Sequence, residues 1–296
     1  MKPTNILITG GGIKGIIMLG IIKQLSKYKL LKNLNKYMGL SVGSIICLLL
    51  IIDYSTEELY KFINSFDFKV ILKKTSFNNI TYIDNLINNY GILNINNLKY
   101  TIEKLLKYKN IDKNITFKEL YDITNKELII GISCLTTCKN EYCNYINTPN
   151  FKIIDIISIS CNIPLFFTPI NFNNKLYLDG GFYNNLPIHY FDKEFKNTLI
   201  ISEKSQLYNK INNFQEYLFN LLYSKTFFIE NTIHYNKKNL NIIYIENKNN
   251  RSMIDFNITE KEKKNDYNIG IEICNKYIKN NYYYYYYLKK NNNFIY

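Results

Sequence analysis

Three short clusters of the chain contain the residue types that acyl transfer needs. The first, Gly10-Gly11-Gly12-Ile13-Lys14-Gly15, comes directly after an apolar run over residues 5–9. Its glycines offer a series of backbone N–H groups unobstructed by side chains, at the positive end of the helix expected next, which makes a cradle for an anion. The second, Gly39-Leu40-Ser41-Val42-Gly43, sets a serine between two glycines just ahead of a wholly apolar stretch. A sharp strand-to-helix turn there exposes the serine Oγ, and a Cβ at either glycine would collide with the neighbouring strand and helix. The third, Asp179-Gly180-Gly181, ends a short apolar run with a carboxylate, and the two glycines allow close backbone approach.

Together these clusters describe an acyl-transfer site. Ser41 attacks a carbonyl, and the oxyanion meets N–H groups from Gly11 and Gly12, with Val42 as a further donor. A base is still required. The chain has only two histidines, His189 and His234. Asp179 is the stronger candidate, because partial desolvation makes a carboxylate more basic than it is in water. Two readings stay open beside it: a turn aspartate bonding its own backbone, and a histidine base at His189. Gly10-x-Gly12-x-x-Gly15 also matches the dinucleotide fingerprint, but that chemistry needs an acid about 20 residues on to hold the ribose. No Asp or Glu precedes Asp53.

These residues must be positioned by strands and helices. Residues 5–9 read as a strand, and residues 16–31 carry apolar side chains at helical spacing. A second strand around Tyr37 and Met38 ends at the serine cluster. Residues 44–52 are apolar on every side, as a centrally buried helix is. Capping boxes start helices at Ser55/Glu58, Thr116/Glu119 and Thr259/Glu262. Residues 128–134 turn back near Lys139 and Asn140 into 142–146 as a hairpin. Thr148-Pro149 opens a helix through Ile157. Short strands are expected over 176–178, 198–202 and 242–246, with a helix over 214–228. This alternation predicts an α/β fold, with a mainly parallel sheet and helices on both faces.

Composition narrows the partners. The 296 residues carry 37 Lys+Arg against 24 Asp+Glu, a formal net charge of +13, yet Arg251 is the only arginine. Arginine is the side chain that forks onto guanine edges and phosphates, so no specific nucleic-acid partner is expected. The lysine excess suits diffuse attraction to an anionic membrane. Codon bias in an A- and T-rich genome would produce the same excess. The six cysteines include no C-x-x-C and lack nearby histidines, which argues for reduced thiols and no metal. The longest apolar run, 45–52, is far short of the ~20 residues that span a bilayer. No cleavage site comes after the apolar segment at 16–22. A cytoplasmic, peripherally membrane-associated protein is expected.

The three clusters, in this order and spacing, resemble the patatin-like phospholipase family. Gly10 to Gly15 look like its oxyanion loop. Gly39-Leu40-Ser41-Val42-Gly43 resembles its nucleophile elbow, and Asp179-Gly180-Gly181 its aspartate motif. Ser158-Ile159-Ser160-Cys161-Asn162-Ile163-Pro164 with Phe167-Thr168-Pro169 is similar to the family's segment before the aspartate, and Asn185-Leu186-Pro187 to its segment after the aspartate. Asp255-Phe256 and the terminal helix resemble the family's continuation. Lys14 stands where the family usually has arginine, and Thr9 where it often has an acid. The resemblance implies a three-layer α/β/α fold and one domain over 1–280, with a low-complexity tail at 281–296 that holds tyrosines at 282–287. It implies a Ser41/Asp179 dyad without histidine, an oxyanion hole from Gly10, Gly11, Gly12, Ile13, Lys14, Gly15 and Val42, and no metal or cofactor. The activity implied is release of fatty acid from glycerophospholipids at a lipid surface. Its alternatives are a catalytically silent lipid-surface binding protein of the same fold, or a nucleotide-binding enzyme using the Gly10–Gly15 loop.

Overall fold

The structure, a computed structural model, describes residues 2–72, 79–204, 207–236, 240–246 and 252–281; Arg251 and the tyrosine run at 282–287 lie outside them. In chain order the strands are β1 (Asn5–Ile8), β2 (Lys36–Leu40), β3 (Gly91–Leu93), β4 (Glu127–Cys134), β5 (Lys139–Cys143), β6 (Leu165–Phe167), β7 (Ile170–Phe172), β8 (Lys175–Leu178), β9 (Thr198–Glu203) and β10 (Asn241–Ile245). The helices are α1 (Gly15–Lys27), α2 (Val42–Ile51), α3 (Thr56–Ser65), α4 (Lys69–Leu72), α5 (Asn79–Asn89), α6 (Asn96–Tyr108), α7 (Phe117–Thr124), α8 (Ile153–Ser160), α9 (Phe214–Asn236) and α10 (Glu260–Asn281).

The main sheet runs β10-β9-β1-β2-β4-β8-β7, with β5 also on β4. From β10 to β4 every pairing is parallel, while β5, β7 and β8 join antiparallel. Strand alternation sorts the apolar residues between two cores. Ile6 and Ile8, Leu128 and Ile130, and Leu199 and Ile201 face the larger core, which is filled by α1, α2, α3, α6, α8 and α10. Leu7, Met38, Ile129 and Ile200 face the smaller one. Leu186, Ile188 and Phe191, from a 3₁₀ turn and the residues before it, pack on that second face.

Register brings the three clusters together. Ile8 pairs with Gly39 and Leu40 with Gly131, so the loop after β1 and the turn after β2 emerge side by side. Leu178 pairs antiparallel with Ser133, which sends Asp179 back along β4 toward the level of Gly131. β9 is parallel to β1, so Glu203 ends at the same edge of the sheet.

The boxes at Ser55/Glu58 and Thr116/Glu119 are reciprocal, and Thr259 with Glu262 caps α10 in the same way. Three expectations need correction. The helix placed at Thr148-Pro149 begins at Ile153, because Asn144 captures the 145–149 stretch: its Oδ1 accepts the Ile146 and Asn147 N–H groups, and its carbonyl accepts from Thr148. The returning strand of the hairpin starts at Lys139, since Lys139 already pairs with Cys134 and Asn140 with Ser133. The helix expected to stop at 228 continues to Asn236.

Candidate active site

Between β2 and α2, Ser41 adopts φ 50° and ψ −129°. A non-glycine residue in a sparsely populated region costs on the order of 1–3 kcal/mol and persists only where the surroundings over-determine it. Here they do. The Ser41 N–H donates to Ser160 Oγ at 2.8 Å, Ser160 Oγ donates to the Gly131 carbonyl at 2.7 Å, and Ser44 Oγ donates to the Ser41 carbonyl at 2.6 Å. The flanking glycines permit the turn: a Cβ on Gly39 would lie 2.4 Å from Ser44 Cα, and one on Gly43 would lie 2.2 Å from the Ile8 carbonyl oxygen.

Asp179 comes directly after β8 and is buried. Its N–H donates to the Asn162 carbonyl at 2.8 Å, and its Oδ1 accepts the Gly181 N–H at 2.9 Å. The other oxygen, Oδ2, is buried with no hydrogen-bond partner among the described residues. Burial pushes the Asp179 pKa up to about 6, with the Ser41 hydroxyl and the Gly181 amide pulling it part of the way back. The Ser41 hydroxyl and the Asp179 carboxylate therefore face the same cleft.

The glycine loop is pinned at both ends. Gly10 N–H donates to Asn185 Oδ1 at 2.8 Å, Ile13 N–H to the Met253 carbonyl at 3.0 Å, and Lys14 N–H to the Gly11 carbonyl at 3.1 Å; the Gly15 N–H turns back onto the loop's own carbonyls. Gly12 has φ +54°, and a Cβ on it would lie 2.1 Å from the Met253 oxygen. Of the loop amides expected to receive an oxyanion, those of Gly10, Ile13, Lys14 and Gly15 are therefore occupied. Gly11 and Gly12 line the cleft beside Ser41, and Val42 opens α2, where helix N–H groups have no intrahelical partner.

Lys14 and Glu203 form a buried ion pair beside this loop. Burial pushes the Glu203 pKa up, and Lys14 opposes that shift. Removing one member of such a pair strands the other charge, at a cost of about 3–5 kcal/mol. Lys14→Met is therefore expected to lower stability by that amount in urea unfolding. Lys14→Arg should retain most of it, and adding Glu203→Gln to Lys14→Met should restore a large part. A Lys14→Met protein as stable as the wild type would remove the pair from the loop's support.

Two cavities meet at Ser41. A cleft that sets the Asp179 and Glu203 carboxylates among apolar side chains is lined by Gly10, Gly11, Gly12, Ser41, Asp179, Asn185 and Glu203, with Ile163, Leu207 and Met253 and with Phe219, Tyr223 and Thr226 of α9. Tyr223 is held in its neutral form by burial and by the Asp179 and Glu203 carboxylates. Behind Ser41 and Gly12 lies an apolar cavity of about 120 Å³, reaching between α2, α3 and α6 to Phe62, Ile102 and Leu105. His189 is exposed and sits against Tyr142, its Nε2 3.4 Å from the phenol oxygen, away from the cleft. The His234 side chain lies outside the described residues. All six cysteines are free thiols, and no group of three His, Cys, Asp or Glu side chains suited to a metal occurs among the described residues. No described helix is long and apolar enough to cross a membrane.

The family model for patatin-like phospholipases matches residues 6–192, which include all three clusters. The chain belongs to the patatin-like phospholipase family. It is 33% identical over 191 residues to a protein named probable lipid hydrolase 463L from Invertebrate iridescent virus 6, a match covering 64% of each chain. It thus spans just under two thirds of that relative's length. It is also 30% identical over 227 residues to uncharacterized protein R571 of Acanthamoeba polyphaga mimivirus, covering 73% of this chain and 74% of the other. The patatin-like fold is shared with VipD from Legionella pneumophila, at a TM-score of 0.57 and 17% identity, over 94% of this chain and 67% of that one.

The site also uses residues for which spacing suggested no role. Asn185 clamps Gly10, Ser160 anchors the Ser41 amide, and the Met253 carbonyl holds Ile13. Asn185 and Ser160 fall in segments that carried the family resemblance, and that was the only signal available for them.

Proposed function

We propose that this patatin-like protein is a lipid acyl hydrolase that cleaves fatty-acyl esters of glycerophospholipids, with Ser41 as nucleophile and Asp179 as general base. The observation that carries this reading is the position of Ser41. It stands where a cleft holding the buried Asp179 carboxylate meets an apolar cavity able to take a hydrocarbon chain. An ester whose acyl tail enters the cavity presents its carbonyl to Ser41 and its headgroup to the cleft.

In the first half-reaction Asp179 accepts the Ser41 Oγ proton as Oγ bonds to the carbonyl carbon. The oxyanion is met by the Gly11 and Gly12 amides and by the Val42 N–H at the N-terminus of α2. Collapse breaks the bond to the glycerol oxygen, which takes the proton from Asp179 and leaves as the lysolipid. In the second half-reaction a water gives a proton to Asp179 and attacks the acyl carbon; collapse breaks the bond to Ser41 Oγ, which takes that proton back from Asp179, releasing fatty acid and restoring both residues. We further propose that residues 1–280 act as one unit: β9 and β10 extend the sheet beyond the family match, and α10 packs along α1.

Incubating the protein and its Ser41→Ala variant with mixed phospholipid vesicles tests the reading; fatty acid and lysolipid should appear with the wild type alone. Because the carboxylate and amides supply the whole proton and charge traffic, turnover is expected to persist in excess chelator. A loss reversed by adding back calcium would overturn the two-residue mechanism.

A further inference from the structure

Helix α9 has one face in the cleft and an opposite face with no packing partner among the described residues. Phe219, Tyr223 and Thr226 look inward, and Thr226 Oγ1 donates to the Phe182 carbonyl at 3.0 Å. Phe214, Tyr217, Leu221 and Phe228 succeed one another at steps of three, four and seven residues, which sets them on a single stripe of the helix. They are 74%, 50%, 59% and 72% exposed. Contiguous exposed apolar surface of this kind marks an interaction site.

The segment before the helix extends the stripe. The Tyr208 N–H donates to Asn220 Oδ1 and Asn220 Nδ2 donates to the Tyr208 carbonyl, both at 2.8 Å, tying residues 207–213 to α9 and adding exposed Ile211 to the patch. The patch's charged rim is basic. Lys210 and Lys225 are exposed, while the only acid between residues 207 and 228, Glu216, accepts the Asn212 backbone and side-chain N–H groups.

We propose that the outer face of α9, with residues 207–213, is the surface by which this protein docks on an anionic lipid bilayer, setting the mouth of the Ser41 cleft at the lipid. Aromatic and aliphatic side chains flanked by lysines on one helix face are the pattern of a helix lying in a membrane interface. A second copy of the chain fits this surface poorly, because each copy carries a net charge of +13 and the two would repel. An anionic bilayer has the complementary sign, and each lysine near it adds about 1 kcal/mol of attraction. The position also suits the chemistry, since a helix that walls the cleft and touches the bilayer lets an ester pass from lipid to Ser41 without crossing water. In that respect the inference rests on the acyl-hydrolase reading, although docking itself is measured without turnover.

The chain contains no tryptophan, so Phe214→Trp introduces a single reporter that keeps the stripe apolar. In the Ser41→Ala background, its emission should shift to the blue when phosphatidylcholine vesicles carrying phosphatidylserine are added, more weakly as salt rises and little with phosphatidylcholine alone. The triple variant Phe214→Ser/Leu221→Ser/Phe228→Ser should partition to the mixed vesicles about a hundredfold less. In the Ser41 protein, the same triple change should leave hydrolysis of a soluble short-chain ester unchanged. Emission indifferent to vesicles would overturn the proposal, as would a triple variant that partitions like the wild type. A wild-type dimer that the triple variant loses, with vesicle binding unaltered, would assign the patch to self-association and overturn it as well. Docking by a wild-type protein that cleaves no ester would overturn the reaction and support the surface.

Discussion

Ser41→Ala is expected to abolish hydrolysis of phospholipid vesicles and of short-chain nitrophenyl esters while leaving the fold nearly intact. Loss of a serine nucleophile lowers kcat on the order of 10⁶ in a serine protease, with the remaining rate supplied by the oxyanion donors and binding. The same scale applies where Asp179, Gly11 and Gly12 are left in place around an inert methyl group. Stability should hardly change, because the strained backbone at Ser41 is held through atoms that alanine retains: the N–H bonded to Ser160 and the carbonyl bonded to Ser44. Fatty-acid release measured by mass spectrometry, beside a urea unfolding curve, reads both quantities. Turnover at the wild-type rate would remove Ser41 from the reaction.

The contrast between what spacing reveals and what it hides has a physical cause. Strands β1, β2 and β4 alternate or run apolar over short lengths, and the capping boxes are local patterns whose hydrogen bonds close within three residues, so these elements were legible. The glycine loop, the elbow and the aspartate turn were legible too, because each needs its special residues next to one another. The supports were not. Asn185 meets Gly10 across 175 positions and Ser160 meets Ser41 across 119, distances over which no periodicity carries information. The oxyanion loop shows the same limit. The resemblance pointed to all six loop residues and Val42, and the folded partners Asn185 and Met253, together with the loop's own carbonyls at Lys14 and Gly15, set the occupied loop amides apart from Gly11 and Gly12. Thr148-Pro149 misled for a related reason, since a proline suited to a first helical turn was instead held in a turn closed by Asn144.

Asp179→Asn should be nearly as damaging to turnover as Ser41→Ala, while His189→Ala, on the exposed surface beside Tyr142, should retain most activity. The asparagine keeps an oxygen for the Gly181 amide but cannot take the Ser41 proton. Because nucleophile and base act as one unit, the double variant should be no slower than the worse single one. Two pH measurements separate this role from a merely structural one. With the base titrating at about 6, kcat/KM should fall tenfold per pH unit below that value and level off above it. Stability should move the opposite way. The folded state binds the Asp179 proton more tightly than the unfolded chain does, so its contribution worsens as pH rises from about 4 to about 6, and the full penalty stands above that. Asparagine carries no such charge, and Asp179→Asn should therefore unfold at higher urea than the wild type at pH 8, by up to about 3 kcal/mol, with the gain gone below pH 4. An inactive variant that is also less stable at pH 8 would assign Asp179 to structure, and an inactive His189→Ala would make histidine the base.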